Sequence, residues 1–336
     1  MKILVLGSSG KLGAYATMAL YRAGHEVIAC GRRTSDNGFY AAKGITYIGG
    51  FVLEARASYD KLPSGINAIV HLAGAMPAHV GITPLPYVKS IIEGAVNICE
   101  WMVKTNCNRI VFNTTPSDVA PYFVDANPVD DDVPRTFPKT GGDHDVYAIC
   151  KNAAVDILEH YKIANGILPI VFRHMSVYSW HPRAYYEING ERRVIPFRQI
   201  IRKCIAGEPV EIWGDPSRKK ELLYVDDFTE AIRMAIESKV TGLYNLPGFK
   251  PYTLEDQING LIGAFCPPGK KSAVIYCPDK PSTPQNLLAG EKIQKALGWS
   301  PKVTWEEACI RMRNTSVKNE FGLMWGNTED VDKYRG

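Results

Sequence analysis

The sequence predicts an α/β fold built on a doubly wound parallel sheet. Three observations carry that expectation. Short, continuously apolar runs recur along the chain, segments of helix length separate them, and the first run opens directly into a glycine-rich turn. A strand covered by helices on both faces reads as an unbroken apolar stretch, whereas a strand with one wet face alternates. Strands separated by helix-length segments assemble into a parallel sheet.

Ile3–Leu6 is the first run, and it leads into Gly7, Gly10 and Gly13. Ala14–Ala23 is rich in helix formers, and Gly24 is a natural stop after it. His25–Cys30 follows as a second strand, closing a βαβ unit of about thirty residues. In that setting Gly7 permits a tight turn, Gly10 lets backbone N–H groups approach a pyrophosphate, and Gly13 lets the helix pack closely on the strand. The start of the helix offers unpaired N–H groups and a partial positive charge to phosphates. The competing reading is a glycine-rich turn with no ligand.

Later elements continue the alternation. Ala68–Leu72, Arg109–Phe112 and Ile167–Phe172 read as buried strands. Between them, Val88–Val103 carries a helical stripe of Ile91, Ile92, Ala95, Val96, Cys99, Met102 and Val103.

Composition narrows the function. A chain of 336 residues makes one large domain or two. Lys plus Arg total 39 against 35 for Asp plus Glu, and the resulting +4 argues against a nucleic-acid partner. The eight cysteines are scattered, with no C-x-x-C pair and no zinc-type spacing to a histidine. Reduced thiols, no metal and a cytoplasmic location are therefore expected. The apolar start is too short for a signal peptide, and no stretch approaches a membrane span.

At the end of the second strand an acidic residue would bind the ribose 2′-hydroxyl of NAD. This chain has Gly31, Arg32 and Arg33 there. Two guanidinium groups suit a 2′-phosphate, so NADP(H) is favoured and NAD(H) is the other option. A pair of solvated arginines is the alternative.

Tyr147 and Lys151 stand four residues apart at the opening of a helical segment, Asn152–Tyr161. That spacing puts phenol and ammonium on one helix face, where the cation lowers the tyrosine pKa for acid–base work. Thr114 and Thr115 follow the strand Arg109–Phe112 and bring hydroxyls to the carboxyl end of the sheet, where ligands bind in such folds.

Together these residues resemble the extended short-chain dehydrogenase/reductase family of nucleotide-sugar epimerases, dehydratases and ketoreductases. The glycine turn is similar to its dinucleotide loop, and His71–Gly74 is similar to the motif after its fourth strand. Gly207–Asp215, Tyr224–Asp227 and Leu297–Lys302 resemble its later signatures, so the likeness covers about residues 1 to 310 in order.

The resemblance implies a Rossmann-type sheet domain over residues 1–175 and a smaller mixed α/β substrate-binding domain over 176–313, with some segments returning to the sheet. A polar tail over 314–336 matches nothing in the family. Implied cofactor contacts are Gly7, Ser9, Gly10, Lys11, Leu12 and Gly13 in the loop, with Arg32 and Arg33, Leu72, Ala73 and Gly74, and Tyr147 and Lys151. Implied catalytic residues are Tyr147 as acid/base, Lys151 on the nicotinamide ribose, and Thr115 (or Thr114, one place earlier) on the reacting sugar oxygen. The resemblance also implies a nucleotide-sugar substrate and a homodimer formed through helices near 88–104 and 147–164.

Departures from the family refine the expectation. The dehydratases' Asp-Glu pair after the catalytic Thr is absent, since Pro116 and Ser117 follow Thr115. His181 takes a place like an epimerase/reductase acid–base histidine, or is simply a loop histidine beside Pro182. Ser176 stands where the family has an Asn in the strand-end segment before the substrate loop. Lys220 and Lys280 stand where diphosphate-binding arginines are expected, with Arg218 beside them, although Arg218–Lys220 also reads as a solvated turn. Residues 178–200 mix aromatic and basic side chains around an Asn189–Gly190 turn, in the region that covers the sugar nucleotide in the family. The expected activity is reduction of a 4-keto nucleotide sugar, with 4-epimerisation, reduction of a non-sugar carbonyl and a non-catalytic sensor as alternatives.

Overall fold

The structure is a computed structural model that describes residues 1–77, 83–124, 126–188 and 191–326. Its centre is a seven-stranded parallel sheet. In spatial order the strands are Gly242–Leu246, Leu168–His174, Arg109–Asn113, Ala68–His71, Lys2–Leu6, Glu26–Cys30 and Thr46–Ile48. The order reverses next to Lys2–Leu6, which pairs with Glu26–Cys30 on one side and Ala68–His71 on the other.

The apolar runs form strands because both faces are covered. Successive side chains of a strand point to opposite faces. Ile3, Val5, Val70, Val111 and Ile170 enter one core with Ala16 and Leu20 of the helix Lys11–Arg22. Their neighbours Leu4, Leu6, Ile69, Ile110 and Val171 enter the other core, against the helices Gly94–Thr105 and Asp143–Asn165.

Two sheet strands go beyond those expected. Thr46–Ile48 is a short, partly exposed edge strand, and Gly242–Leu246 returns from the second half of the chain to pair with Leu168–His174. The helix expected over Val88–Val103 starts earlier, at Pro84, and widens to a π-helical stretch over Val88–Glu93 before Gly94–Thr105. Ile91, Ala95, Cys99 and Met102 of the expected stripe are buried, whereas Val88 and Val103 are exposed.

The smaller part of the chain is built from two-stranded pairs and the helices Pro196–Ala206, Leu254–Phe265 and Trp305–Lys318. Tyr185–Ile188 and Glu191–Val194 pair antiparallel; the Asn189–Gly190 turn itself lies outside the described residues. The stretch read as a polar tail from 314 is structured as far as it is described. Trp305–Lys318 runs through it as helix, Gly322–Trp325 adds a further turn, and Phe321 and Met324 are buried. Its polar average concealed a few apolar residues that dock. All eight cysteines are unpaired, and no described helix is long and apolar enough to cross a membrane.

A buried ion pair ties the sheet strand Leu168–His174 to the turn Pro116–Tyr122 that follows Arg109–Asn113. Arg173 donates from Nε to Asp118 at 2.8 Å and from Nη2 at 3.0 Å, and neither side chain has exposed surface. The same guanidinium donates to Asn245 Oδ1 at 3.1 Å and to the Asp131 carbonyl at 3.3 Å. Removing one partner strands the other charge without water. Asp118→Ala is expected to cost about 3–5 kcal/mol of stability, read from urea unfolding.

Candidate active site

The glycine turn is dictated by close approach. Gly7 has φ +88°, and a Cβ there would lie 2.9 Å from the backbone of Leu72 and Ala73. A Cβ on Gly13 would lie 2.1 Å from the Gly7 carbonyl oxygen. Gly7 and Ser8 both donate backbone N–H to Cys30 O, at 2.9 and 3.0 Å. The carboxyl ends of three strands thus meet around this turn. Gly10 is exposed, and no side chain caps the helix that starts at Lys11. That leaves backbone N–H groups for phosphate oxygens, so the turn fits a dinucleotide.

The other loop positions divide. Ser9 is half-buried against Gly31, and Gly74 is exposed beside half-buried Leu72 and Ala73. Leu12 packs on the core. Lys11 turns away from the loop to donate to Val177 O at 3.0 Å, and burial pulls its pKa down to about 8.

Arg32 and Arg33 are exposed at the end of Glu26–Cys30. Arg33 donates from Nη1 to Met324 O at 3.0 Å. Asp36, three residues after Arg33, is buried and accepts the backbone N–H groups of Gly38 and Tyr40 at 3.2 and 2.6 Å.

Tyr147 and Lys151 sit inside the helix Asp143–Asn165, which begins a turn before Tyr147. Asp145 fixes that start by accepting from Thr140 N at 2.5 Å and Gly141 N at 2.7 Å. Lys151 is buried and donates to Asn113 O at 2.9 Å. Its ammonium lies 4.5 Å from the centre of the Phe112 ring and 5.8 Å from that of Tyr147. Tyr87 packs edge-on against Tyr147 at 6.0 Å.

The expected lowering of the Tyr147 pKa is not what this geometry produces. Burial, with Tyr87 adding to it, pushes the phenol up to about 12, and burial pulls Lys151 down to about 7. Low-dielectric surroundings disfavour the charged form of each group. The ammonium is spent on the Asn113 carbonyl and two ring faces.

The threonines have different surroundings. Thr115 Oγ1 accepts Ser117 N–H at 3.2 Å, capping the turn Pro116–Tyr122, and lies 3.1 Å from Ser117 Oγ. Thr114 is tied by its backbone N–H to Phe172 O at 2.8 Å. Its hydroxyl is buried with no partner among the described residues, as is Asn113 Oδ1. Few buried polar atoms in a folded protein are left in this state, which marks the strand end out.

His181 is brought to a different place. Its ring lies 4.2 Å from Trp325, its Nδ1 accepts Arg183 N–H at 2.9 Å, and its carbonyl accepts from Arg198 at 3.2 Å. Among the described residues it has no hydrogen bond or ring contact with Thr115, Tyr147 or Lys151. Burial and the Lys11 and Arg198 charges lower its pKa to about 3. Ser176 is exposed just past Leu168–His174. Arg218 donates to Thr283 O at 3.1 Å, half-buried Lys220 lies in a short strand against Tyr252–Thr253, and exposed Lys280 sits 5.5 Å over the Trp213 ring.

Sequence reasoning missed Tyr87 and Trp325, which arrive from distant segments without a motif of their own, and the Asn113 carbonyl, a backbone acceptor that no side-chain pattern reveals. It also passed over the state of His71, whose two ring nitrogens are buried without partners among the described residues. No cluster of potential metal ligands occurs among the described residues.

The fold and the strand-end cluster define an α/β protein whose glycine turn fits a dinucleotide and whose sheet edge carries a buried Tyr–Lys pair. The match to known proteins is narrower. Residues 3–246 match the NAD dependent epimerase/dehydratase family, and the chain belongs to it. It is 25% identical over 256 residues to the UDP-glucuronate 4-epimerase of Thermodesulfobacterium geofontis, spanning 76% of this chain and 73% of that protein. The Bacillus subtilis UDP-glucose 4-epimerase is 23% identical over 338 residues, spanning 92% and 95%. Its fold is shared with the UDP-glucose 4-epimerase of Thermotoga maritima solved with UDP-glucose, at a TM-score of 0.74 and 22% identity over 93% of this chain and 97% of that one.

Burial of histidines gives a pH dependence with a definite sign. Burial holds His71 at about 3 and His174 at about 4, against 6.5 ordinarily. Above 6.5 both are neutral folded or unfolded. Below it only the unfolded chain takes up the protons, so stability falls as pH drops from 6.5 towards 4. Melting temperatures across that range are expected to decline, and less steeply in His71→Phe.

Proposed function

We propose that this protein is an NADP(H)-dependent oxidoreductase that reduces the 4-keto group of a nucleoside-diphosphate sugar. The observation that carries the reading is the placement of Tyr147 and Lys151 on one buried helix face, beside Thr114 and Thr115 at the carboxyl end of Arg109–Asn113. The dinucleotide, when bound, supplies the hydride. Tyr147 gives its phenolic proton to the sugar oxygen as that oxygen gains charge. Its pKa near 12 keeps the phenol protonated at neutral pH, the state a reductase needs at the start of turnover. Lys151 holds the ribose, and Thr115 or Thr114 orients the keto oxygen.

The surroundings of the second strand support the phosphorylated cofactor. Arg32 and Arg33 are exposed there, while Asp36 is buried and accepts the backbone N–H groups of its own turn. Lys220 and Lys280, with Arg218, are the proposed contacts of the substrate's diphosphate. His181, held against Trp325, takes no proton-transfer role in this reading.

A second reading, 4-epimerisation with retained NAD, is favoured by the relatives, several of which are named as UDP-sugar 4-epimerases. Unfolding the purified protein and identifying the released nucleotide separates the two. Little bound nucleotide, with NADPH consumed only when a 4-keto nucleotide sugar is added, supports the reductase; stoichiometric NAD overturns it in favour of the epimerase. NADPH consumed with a non-sugar carbonyl instead would replace the substrate class.

Tyr147→Phe is expected to lower turnover by about 10²–10⁴-fold while leaving the dissociation constant for NADPH unchanged. Undiminished turnover in that variant would remove Tyr147 from the mechanism. Exposed Val103, Ile149 and Ile163 on the helices Gly94–Thr105 and Asp143–Asn165 support the proposed homodimer. Light scattering is expected to give twice the chain mass, and a monomer would dismiss the dimer.

A further inference from the structure

The segment Phe321–Trp325 lies over the dinucleotide end of the sheet and makes specific contacts there. Phe321 and Met324 are buried in a cluster with Ala14, Phe39, Tyr40 and Ile45. The Phe321 ring lies 4.8 Å from Tyr15 and 5.4 Å from Phe39. Three polar contacts then join this anchored stretch to the cofactor region. Trp325 Nε1 donates to Ser9 O at 3.1 Å, Arg33 Nη1 donates to Met324 O at 3.0 Å, and Asn37 Nδ2 donates to Leu323 O at 3.2 Å. The Trp325 ring also packs, tilted, against His181 at 4.2 Å.

We propose that the Phe321–Trp325 segment positions Arg33 for the ribose 2′-phosphate and thereby sets the preference for the phosphorylated dinucleotide. The inference rests on the NADP(H) reading above. A guanidinium has five donors in a rigid fork, so fixing one amino group on a carbonyl leaves the others aimed and unspent. Arg33 is otherwise an exposed, flexible side chain, which would lose its rotamer freedom only on binding the ligand. The Met324 carbonyl that holds it is itself fixed, because the Met324 side chain is fully buried. Trp325 adds the register: its bond to Ser9 O pins the segment to the glycine turn. A Cβ on Gly31 would lie 2.7 Å from Ser9 Oγ, so turn and strand end are in contact beneath it. Met324 and Trp325 act through Arg33 and are positioning residues.

The test uses calorimetric titration with adenosine 2′,5′-bisphosphate and adenosine 5′-monophosphate, which differ only in the 2′-phosphate. The full chain is expected to bind the bisphosphate more tightly. A chain ending at Glu320 is expected to lose about tenfold of that preference, the scale of one charge-assisted hydrogen bond, with monophosphate affinity nearly unchanged. Arg33→Ala is expected to lose as much, and shortening an Arg33→Ala chain is expected to remove no more, since both act on one contact. Trp325→Ala, with its melting temperature measured alongside, is expected to lose part of the preference and guards against misfolding of the shortened chain. A preference that survives in the shortened chain and in Trp325→Ala, yet vanishes in Arg33→Ala, overturns the inference and leaves the NADP(H) reading standing. Equal losses, or equal gains, for both ligands overturn it as well. A full chain with no preference overturns the NADP(H) reading and this inference together.

Discussion

The contact between two glycines governs how this molecule presents a ligand surface. Gly13 brings the helix Lys11–Arg22 so close to the turn that any Cβ would enter the Gly7 carbonyl, and Gly7 in turn presses against the backbone of Leu72 and Ala73. Nothing but hydrogen fits at either place. The consequence is that the ends of Lys2–Leu6, Glu26–Cys30 and Ala68–His71 converge beneath one helix start. An uncapped helix N-terminus held at a sheet's carboxyl edge is a site for anions by its backbone alone. The side chains around it then need only choose which anion, and what chemistry follows.

Burial sets the charge states of those side chains. Tyr147, Lys151 and His71 lie together near the strand ends, and each is held towards its neutral form by the loss of water. Away from them, the Arg173 guanidinium donates to the Asp118 carboxylate, to Asn245 and to the Asp131 carbonyl, and burial still pushes the Asp118 carboxyl above the usual carboxylate range. The difference is one of partners. Where the fold supplies hydrogen bonds they oppose the cost of burial; atoms such as Thr114 Oγ1 and Asn113 Oδ1 are buried without a partner among the described residues.

Much of the fold was legible because the sheet is buried on both faces. Ile3–Leu6, His25–Cys30, Ala68–Leu72, Arg109–Phe112 and Ile167–Phe172 all announce themselves as apolar runs, and the observed strands fall within a residue or two of them. Thr46–Ile48 and Gly242–Leu246 were not read, the first because it is a short, wet edge and the second because its partner strand lies far back in the chain. The Phe321–Trp325 segment was hidden for a related reason. Its apolar residues are few and sit among polar ones, so only docking on Tyr15 and Phe39 reveals them as core.

The sequence by itself determined the glycine turn, the Tyr147–Lys151 spacing and the arginines after the second strand, because each depends on neighbours a few residues away. Local geometry follows from local chemistry, and a period of about 3.6 residues places Tyr147 and Lys151 on one face in any helix. The tertiary structure alone decided what those groups meet. It gave Lys151 the Asn113 carbonyl, set Tyr87 against Tyr147, moved His181 to Trp325 and tied Arg33 to Met324. Those partners are remote in the chain, and burial acts on a group only once distant segments have closed over it.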